Sequence, residues 1–408
     1  MALDDASDPF QQMVYLQEGE APDAILAYCS EDCGSRASSR WVRSIYIINV
    51  DNQTIIRRIQ LPVNAFKASG SSGKIVDFIS GENGDVFGVV KYSYSNDDFG
   101  FALIKVNSFT GSKQFSGQIP ISEPLDGGNY GGPSGCYCNG HVYVLLKGTV
   151  TKIRASNLST VSSTQVVINP PITASYLRFP RGRSPIIKSD GQTIFFVESL
   201  FDDPRSTIYY NPPDGALAYR VTTLYELNPN TLSFTAAFND IQIRPDESGF
   251  IGSGVRGLTV QNGVAYLGLF GDVDGIVTSR AGGLEKDTIL YSYWGYGDLL
   301  KSNENGIYFC YRADRYEAYN LNDLSKRTNN ASLGIGPSTR GNTATIVGNN
   351  LFINTADRVN RVYKNFIYSW DTSTDTLNYA KAMDFPNDPR NGDPSAFQSF
   401  GYITAVRN

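Results

Sequence analysis

The sequence predicts an all-β fold of repeated four-stranded antiparallel sheets, and three observations predict it. A tight turn followed at once by a strand apolar on both faces recurs six times. An alternating strand, a polar Asn/Asp turn and a further strand also recur six times. No long helical pattern interrupts them, and Gly, Ser, Thr and Asn fill the turns.

The clearest copy of the first pattern is Val260–Asp272, VQNGVAYLGLFGD. Asn262-Gly263 suits a type I′ turn, in which both central residues need φ > 0. The run after it is too short, and too rich in β-branched and aromatic residues, for a buried helix. As a strand it is covered on both faces. Glu82-Asn83-Gly84 precedes DVFGVVKY, Asn139-Gly140 precedes HVYVLL, and Asp190-Gly191 precedes QTIFFVES. Asn305-Gly306 precedes IYFCYRA, and Asn349-Asn350 precedes LFINTAD. Spacings of about 43 to about 72 residues mark a repeat protein with loops of unequal length.

The second pattern spans 44–61, 101–115, 150–163, 222–238, 316–328 and 365–380. Its Asn or Asp closes the turn on its own backbone with Thr or Ser in support, so this hairpin is expected to need no special glycine. Joined to the strand entering the first turn, each copy makes a four-stranded antiparallel sheet. Repeated radially, such sheets make a β-propeller.

The seventh copy is cut open by the termini. FGYITAVRN (400–408) reads as the strand entering a turn, and PDAILAYC (22–29) as the strand leaving it. Pairing them would close the ring and remove two unpaired edges. The expectation is therefore a seven-bladed β-propeller, ring closed by pairing N- and C-terminal strands, with six or eight blades as the fallback. The weak point is 272–300, where DTILYSYWGYG lacks a clear fourth strand. Residues 22–408 are read as one propeller domain. Residues 1–21 are read as an acidic arm, solvated or docked on a neighbouring subunit: five acids and no base before Arg36, with Phe10, Met13, Val14, Tyr15 and Leu16 as a possible anchor.

The hairpin YIINVDNQTIIRRIQLP (46–62) resembles the repeat of YVTN-type propellers, in which a Tyr-rich strand, an Asp/Asn turn and a Thr-Val strand recur. The other hairpins match in pattern only. The resemblance implies the architecture; such folds host lactonases, quinoprotein dehydrogenases, adhesins and virion parts alike.

Composition narrows the partners. With a formal net charge of −5 there is no basic footprint for nucleic acid and no polybasic segment for a membrane surface. No apolar run reaches the roughly 18 residues of a membrane helix. The start, MALDDASDPFQQM, has neither the positive n-region nor the h-region of a secretory signal. Of the five cysteines, Cys138 and Cys310 lie in strand-like runs that favour buried free thiols. Cys29 and Cys33 are close enough for a loop to pair, which stays open. Cys136 and Cys138 alternate on one strand face.

Chemistry is sparse. His141, the only histidine, heads a strand without a G-x-S-x-G nucleophile in the chain, and reads as structural. Cys136, Cys138 and His141 are the one local zinc combination, with ligands expected to diverge. For calcium, Asp272 and Asp274 in GDVDG are the best pair, ahead of Asp97/Asp98 and Asp202/Asp203, although none matches an EF-hand loop. A glycosidase-like carboxylate pair depends on spacing in space rather than in sequence. Phosphate loops and dinucleotide fingerprints are absent.

A base recurs in the segment entering several first strands: Lys74 in SSGKIV, Arg183 in RGRSPII, Arg256 in SGVRGLT and Arg340 in PSTRGNT, with Arg407 in the closing strand related. In a propeller these would ring one mouth of the channel and focus positive potential there. Arg would hold a carboxylate, phosphate or sulfate through its planar fork. The competing reading is that each caps carbonyls or pairs with a neighbouring Asp. Tyr-rich segments at 92–100, 208–219 and 291–297 have the chemistry of paratopes and sugar sites, or pack between blades.

Two function classes follow. One is a non-catalytic structural or interaction propeller, a part of a virion such as a phage tail or of an extracellular assembly, binding protein partners or glycans. Its composition resembles that of such components. The other is a secreted lactonase-, lyase- or hydrolase-like enzyme with a channel-mouth site, using the basic positions and, with calcium, Asp272 and Asp274.

Overall fold

The computed structural model describes residues 24–32, 41–51, 54–61, 74–93, 99–120, 133–146, 148–166, 181–183, 185–202, 217–245, 254–270, 275–280, 300–312, 315–328, 340–359, 362–383 and 398–407. These form seven antiparallel sheets. Sheet 1 holds β1 (Ala24–Asp32), β2 (Trp41–Asn49), β3 (Thr54–Leu61) and β28 (Gln398–Val406), in the order β28-β1-β2-β3. Sheet 2 is β4 (Lys74–Ser80), β5 (Asp85–Ser93), β6 (Phe99–Asn107) and β7 (Lys113–Gln118). Sheet 3 is β8 (Ser134–Cys138), β9 (His141–Leu146), β10 (Thr149–Arg154) and β11 (Thr160–Gln165). In sheet 4, β12 (Arg181–Arg183) and β13 (Ile186–Ser189) both pair with β14 (Ile194–Asp202), followed by β15 (Leu217–Leu227) and β16 (Phe234–Pro245).

Sheet 5 is β17 (Gly254–Gln261), β18 (Val264–Phe270) and β19 (Gly275–Thr278). Of the weak point at 272–300, only 275–280 and 300 are among the described residues. Sheet 6 is β20 (Leu300–Asn303), β21 (Gly306–Arg312), β22 (Arg315–Tyr319) and β23 (Lys326–Thr328). Sheet 7 is β24 (Arg340–Val347), β25 (Asn350–Val359), β26 (Val362–Asp371) and β27 (Thr376–Met383). The six expected turn-and-strand copies each seed one sheet. The seventh forms as expected from the two chain ends: β28 pairs with β1 from Ala24↔Val406 to Glu31↔Gln398. Residues 1–21 lie outside the described residues, and among those described no helix is long and apolar enough to cross a membrane.

The chain falls into two compact units, Met1–Gln118 with Trp294–Asn408, and Ile119–Tyr293. In the first, sheets 6, 7, 1 and 2 pack face to face in that order. Tyr308, Leu351 and Tyr368 join sheets 6 and 7; Phe352, Tyr46 and Ile403 join sheets 7 and 1; Ile45, Val86 and Ile104 join sheets 1 and 2. Their first strands meet along one edge, β20 on β24, β24 on β28 and β28 on β4. In the second unit, Tyr143 and Phe196 join sheets 3 and 4, and Val197, Leu258 and Leu267 join sheets 4 and 5. There β13 touches both β8 and β17. β18 is buried on both faces, as its composition requires.

Six of the second strands set aromatic rings into a core, among them Phe87, Tyr143, Phe196, Tyr266, Tyr308 and Phe352, none more than 4% exposed. Burying such a ring is worth roughly 1.5–3 kcal/mol.

Turn geometry follows the sequence in part. Asn139-Gly140 and Asn262-Gly263 have φ of 47° and 71°, and of 52° and 72°, the I′ signature. At Asn305-Gly306 the glycine already belongs to the ladder, opposite Asn303, so the loop is Glu304-Asn305. Near Asn349-Asn350 the left-handed residue is Gly348. The outer hairpins close on Asn and Asp as expected: Asn107 Oδ1 accepts from Phe109 N and Thr110 N, and Asn228 Oδ1 from Asn230 N and Thr231 N. The outer turns at Leu158, Leu232, Leu324 and Asp375 need no special glycine, as expected, and Gly111 is the exception; each nevertheless holds one residue in the left-handed region. Gly111, Leu158, Leu232, Leu324 and Asp375 all have φ between 55° and 73°.

Candidate binding site

The four bases singled out in the sequence occupy one kind of place. Lys74 and Arg340 are the first residues of β4 and β24. Arg183 ends β12 and Arg256 is third in β17. All are first strands, at the end remote from the Asn-Gly turns. In each strand the ladder to its neighbour slips there: between Ile75 and Asp77, Arg181 and Arg183, Val255 and Gly257, and Arg340 and Thr343. Arg256 is thus the extra residue of its bulge. A bulge bends its strand, raises the local twist and re-aims side chains, a device common beside sites.

Within the first unit, Lys74 and Arg340 lie on the two strands that flank β28. Within the second, Arg183 and Arg256 lie on the first strands of neighbouring sheets. Asp272, Asp274, Asp97, Asp98 and Asp203 lie outside the described residues, as do most of the Tyr-rich loops at 94–98, 208–216 and 291–297. Arg407 is exposed at the opposite end, where its carbonyl accepts from Gly84 N at 2.7 Å.

The His141 neighbourhood is also resolved. Its two-residue turn sets Cys138 directly opposite His141, so the pair share a face rather than diverging. The ring Nδ1 is 2.8 Å from Asn139 O, and Cys138 Sγ donates to Gly191 O at 3.3 Å. Cys136, Cys138 and Cys310 are buried thiols. Among the described residues no group of three His, Cys, Asp or Glu could hold a metal ion.

Sequence reasoning missed the polar ties between sheets on the turn side. Tyr143 OH donates to Pro229 O at 3.0 Å and Tyr308 OH to Thr372 O at 3.1 Å, each reaching the outer turn of the next sheet. Tyr379 OH does the same to Val50 O at 3.2 Å. Burial pushes the phenols of Tyr143 and Tyr308 up, and that of Tyr379 to about 12. Asp190 Oδ2 accepts from Gly263 N at 2.8 Å across sheets 4 and 5. Burial pushes its carboxyl up, but the donors of Thr193, Gly263 and Gln192 outweigh burial and hold it below the usual carboxylate range.

Two buried carboxylates were also missed. Glu198 on β14 is 0% exposed, two residues before the Leu200 that faces Arg183. Glu317 on β22 is 2% exposed and accepts from Tyr319 OH and Lys326 Nζ. No sequence signal marks either, because each is one polar residue inside an otherwise ordinary strand.

No family model matches the chain, and no curated protein matches it. Solved structures do. A crystal structure described as a candidate 6-phosphogluconolactonase from Bacteroides fragilis is 13% identical, with a TM-score of 0.50 over 94% of this chain and 98% of that one. BamB from Moraxella catarrhalis is 11% identical, with a TM-score of 0.41 over 84% and 85%. AztD from Citrobacter koseri is 9% identical, with a TM-score of 0.42 over 94% and 98%. The likeness to the first of these, at a TM-score of 0.50, is one of fold alone, and the seven sheets of the described residues fit a count of seven blades.

Proposed function

We propose that the chain is a non-catalytic interaction propeller of seven blades that binds an acidic partner through bases at the bulged ends of its first strands. The observation that supports it is the recurrence: Arg183 and Arg340 border a first-strand ladder slip, Arg256 lies within one, and Lys74 stands one residue before one. A planar Arg fork on a re-aimed backbone suits a carboxylate or phosphate. The partner is another protein of a larger assembly, and the Tyr-, Asn-, Ser- and Gly-rich composition favours a virion or extracellular component, with glycans as a further ligand class.

The test is the double variant Arg256→Ala/Arg340→Ala in the full chain, titrated with polyglutamate. Binding should weaken at least tenfold, with an unchanged melting temperature. Unchanged binding with lower stability would assign these bases to carbonyl capping. Addition of EDTA should leave the melting temperature unaltered. A fall of many degrees would favour calcium at Asp272 and Asp274, and with it the alternative of a secreted lactonase-, lyase- or hydrolase-like enzyme.

A further inference from the structure

The chain contains Asn-Gly pairs at Asn83, Asn139, Asn262, Asn305 and Asn391, and the last lies outside the described residues. Such a pair is chemically reactive as well as turn-forming. The glycine nitrogen can attack the asparagine Cγ, forming a five-membered succinimide ring and expelling ammonia. Water then opens the ring at either carbonyl to give aspartate or isoaspartate. The net change is one water gained and one ammonia lost. Attack needs a backbone N–H that is free to lose its proton, and room for the peptide to rotate.

The other described pairs lack one or both. Gly84 N donates to Arg407 O at 2.7 Å, and a Cβ there would lie 2.4 Å from the Phe109 ring. Gly263 N donates to Asp190 Oδ2 at 2.8 Å. Gly306 is buried in the ladder opposite Asn303, where a Cβ would lie 2.6 Å from Tyr319 O. Asn139-Gly140 differs from all of these. Both residues are exposed, and Gly140 N has no hydrogen-bond partner among the described residues. A Cβ on Gly140 would meet nothing within 4 Å.

His141 adds an electronic effect. Its Nδ1 is 2.8 Å from Asn139 O. A backbone carbonyl only accepts, so Nδ1 carries the proton and donates. That carbonyl belongs to the same amide as Gly140 N. Drawing electron density onto the oxygen makes the attached N–H more acidic, and so a better source of the attacking nitrogen. We propose that Asn139 is the first of the described Asn-Gly sites to deamidate, through a succinimide formed with Gly140. The product sets a carboxylate at the turn of sheet 3, whose strands carry Lys152 and Arg154 and no Asp or Glu. Its isoaspartate form also lengthens the backbone of a two-residue turn by one carbon, so local charge and hairpin geometry change together. The reaction does not involve the first-strand bases, and either assignment can fail without the other.

The test holds the full chain in mildly alkaline buffer made with water enriched in heavy oxygen, well below its melting temperature, and follows it by peptide mass mapping. Label enters only at an amide lost during the incubation. Breaking a hydrogen bond before attack slows the step about fivefold or more. Label at Asn139 should therefore appear at least about fivefold sooner than at Asn83, Asn262 or Asn305, and as both aspartate and isoaspartate. Asp190→Ala frees Gly263 N and should speed reaction at Asn262 about fivefold, while Asn83 in another sheet keeps its rate. Equal rates at the four sites, a faster rate at any of the other three, or aspartate as the sole product at Asn139 would overturn the proposal. So would an Asn262 rate that Asp190→Ala leaves unmoved.

Discussion

Asp190 offers the sharpest test of how neighbouring sheets are held in register. Its carboxylate accepts from Gln192 N at 3.0 Å, Thr193 N at 2.9 Å and Thr193 Oγ1 at 3.0 Å within its own turn, and from Gly263 N at 2.8 Å in the next sheet. Charge-assisted bonds are each worth roughly 1.5–3 kcal/mol in a protected site. Asp190 is half-buried, however, and water can solvate the freed N–H groups, so Asp190→Asn should cost only about 1–2 kcal/mol. That corresponds to a melting shift of about 2–8 °C for a unit of this size. The pH dependence carries the argument. A carboxyl whose folded pKa is depressed contributes fully above its unfolded value, about 3.9, and loses the contribution as pH falls through the folded pKa. The gap between wild type and Asp190→Asn, measured by calorimetry from pH 7 to pH 2.5, should stay constant to about pH 5 and shrink below it. A gap as wide at pH 2.5 as at pH 7 would mean that the ionised carboxylate contributes nothing beyond its shape.

Two further outcomes can be read by chemical denaturation. Gly84 and Gly140 share a φ of 71°, but a Cβ on Gly84 would lie 2.4 Å from the Phe109 ring, whereas one on Gly140 meets nothing within 4 Å. Gly140→Ala should cost about 1–2 kcal/mol from its left-handed backbone alone, and Gly84→Ala distinctly more; equal losses would show that the Phe109 contact is immaterial. Tyr308→Phe removes a hydroxyl that donates to Thr372 O and accepts from Arg327 Nη2 at 3.0 Å, and should cost about 1–3 kcal/mol. An unchanged midpoint would remove this tie between sheets 6 and 7 from the account.

The fold was legible where local chemistry and tertiary context agree. Asn139-Gly140 and Asn262-Gly263 demand φ > 0, and the doubly apolar runs after them can only be interior strands. The split first sheet was legible for the same reason, since each terminus held half of a recurring pattern. The left-handed position in the outer turns was not legible, because packing there overrides propensity. A leucine in the left-handed region costs about 1–2 kcal/mol, so sequence rules expect glycine there or no such position at all. Leu158 and Leu232 are each 4% exposed, and that burial, worth roughly 2 kcal/mol, offsets the strain. Gly111 holds the same position without an anchor. Only the packing reveals that these residues are equivalent.

Site residues were less legible, because function here depends on which residues become neighbours. The recurrence of Lys74, Arg183, Arg256 and Arg340 before first strands was visible, but the bulge at each was not, since no residue type announces a ladder slip. The turn-side ties join residues as far apart as Val50 and Tyr379. Charge shows the same limit. A total of −5 suggested an acidic protein without a basic footprint, yet that total combines +7 from residues 127–189 with −12 from the rest. A sheet is a physical unit of surface and a chain total is not. Electrostatic steering follows the local field, which falls off within about 10 Å in ordinary salt. The strands of sheet 3 carry Lys152 and Arg154 and no Asp or Glu, a local balance that the chain total conceals.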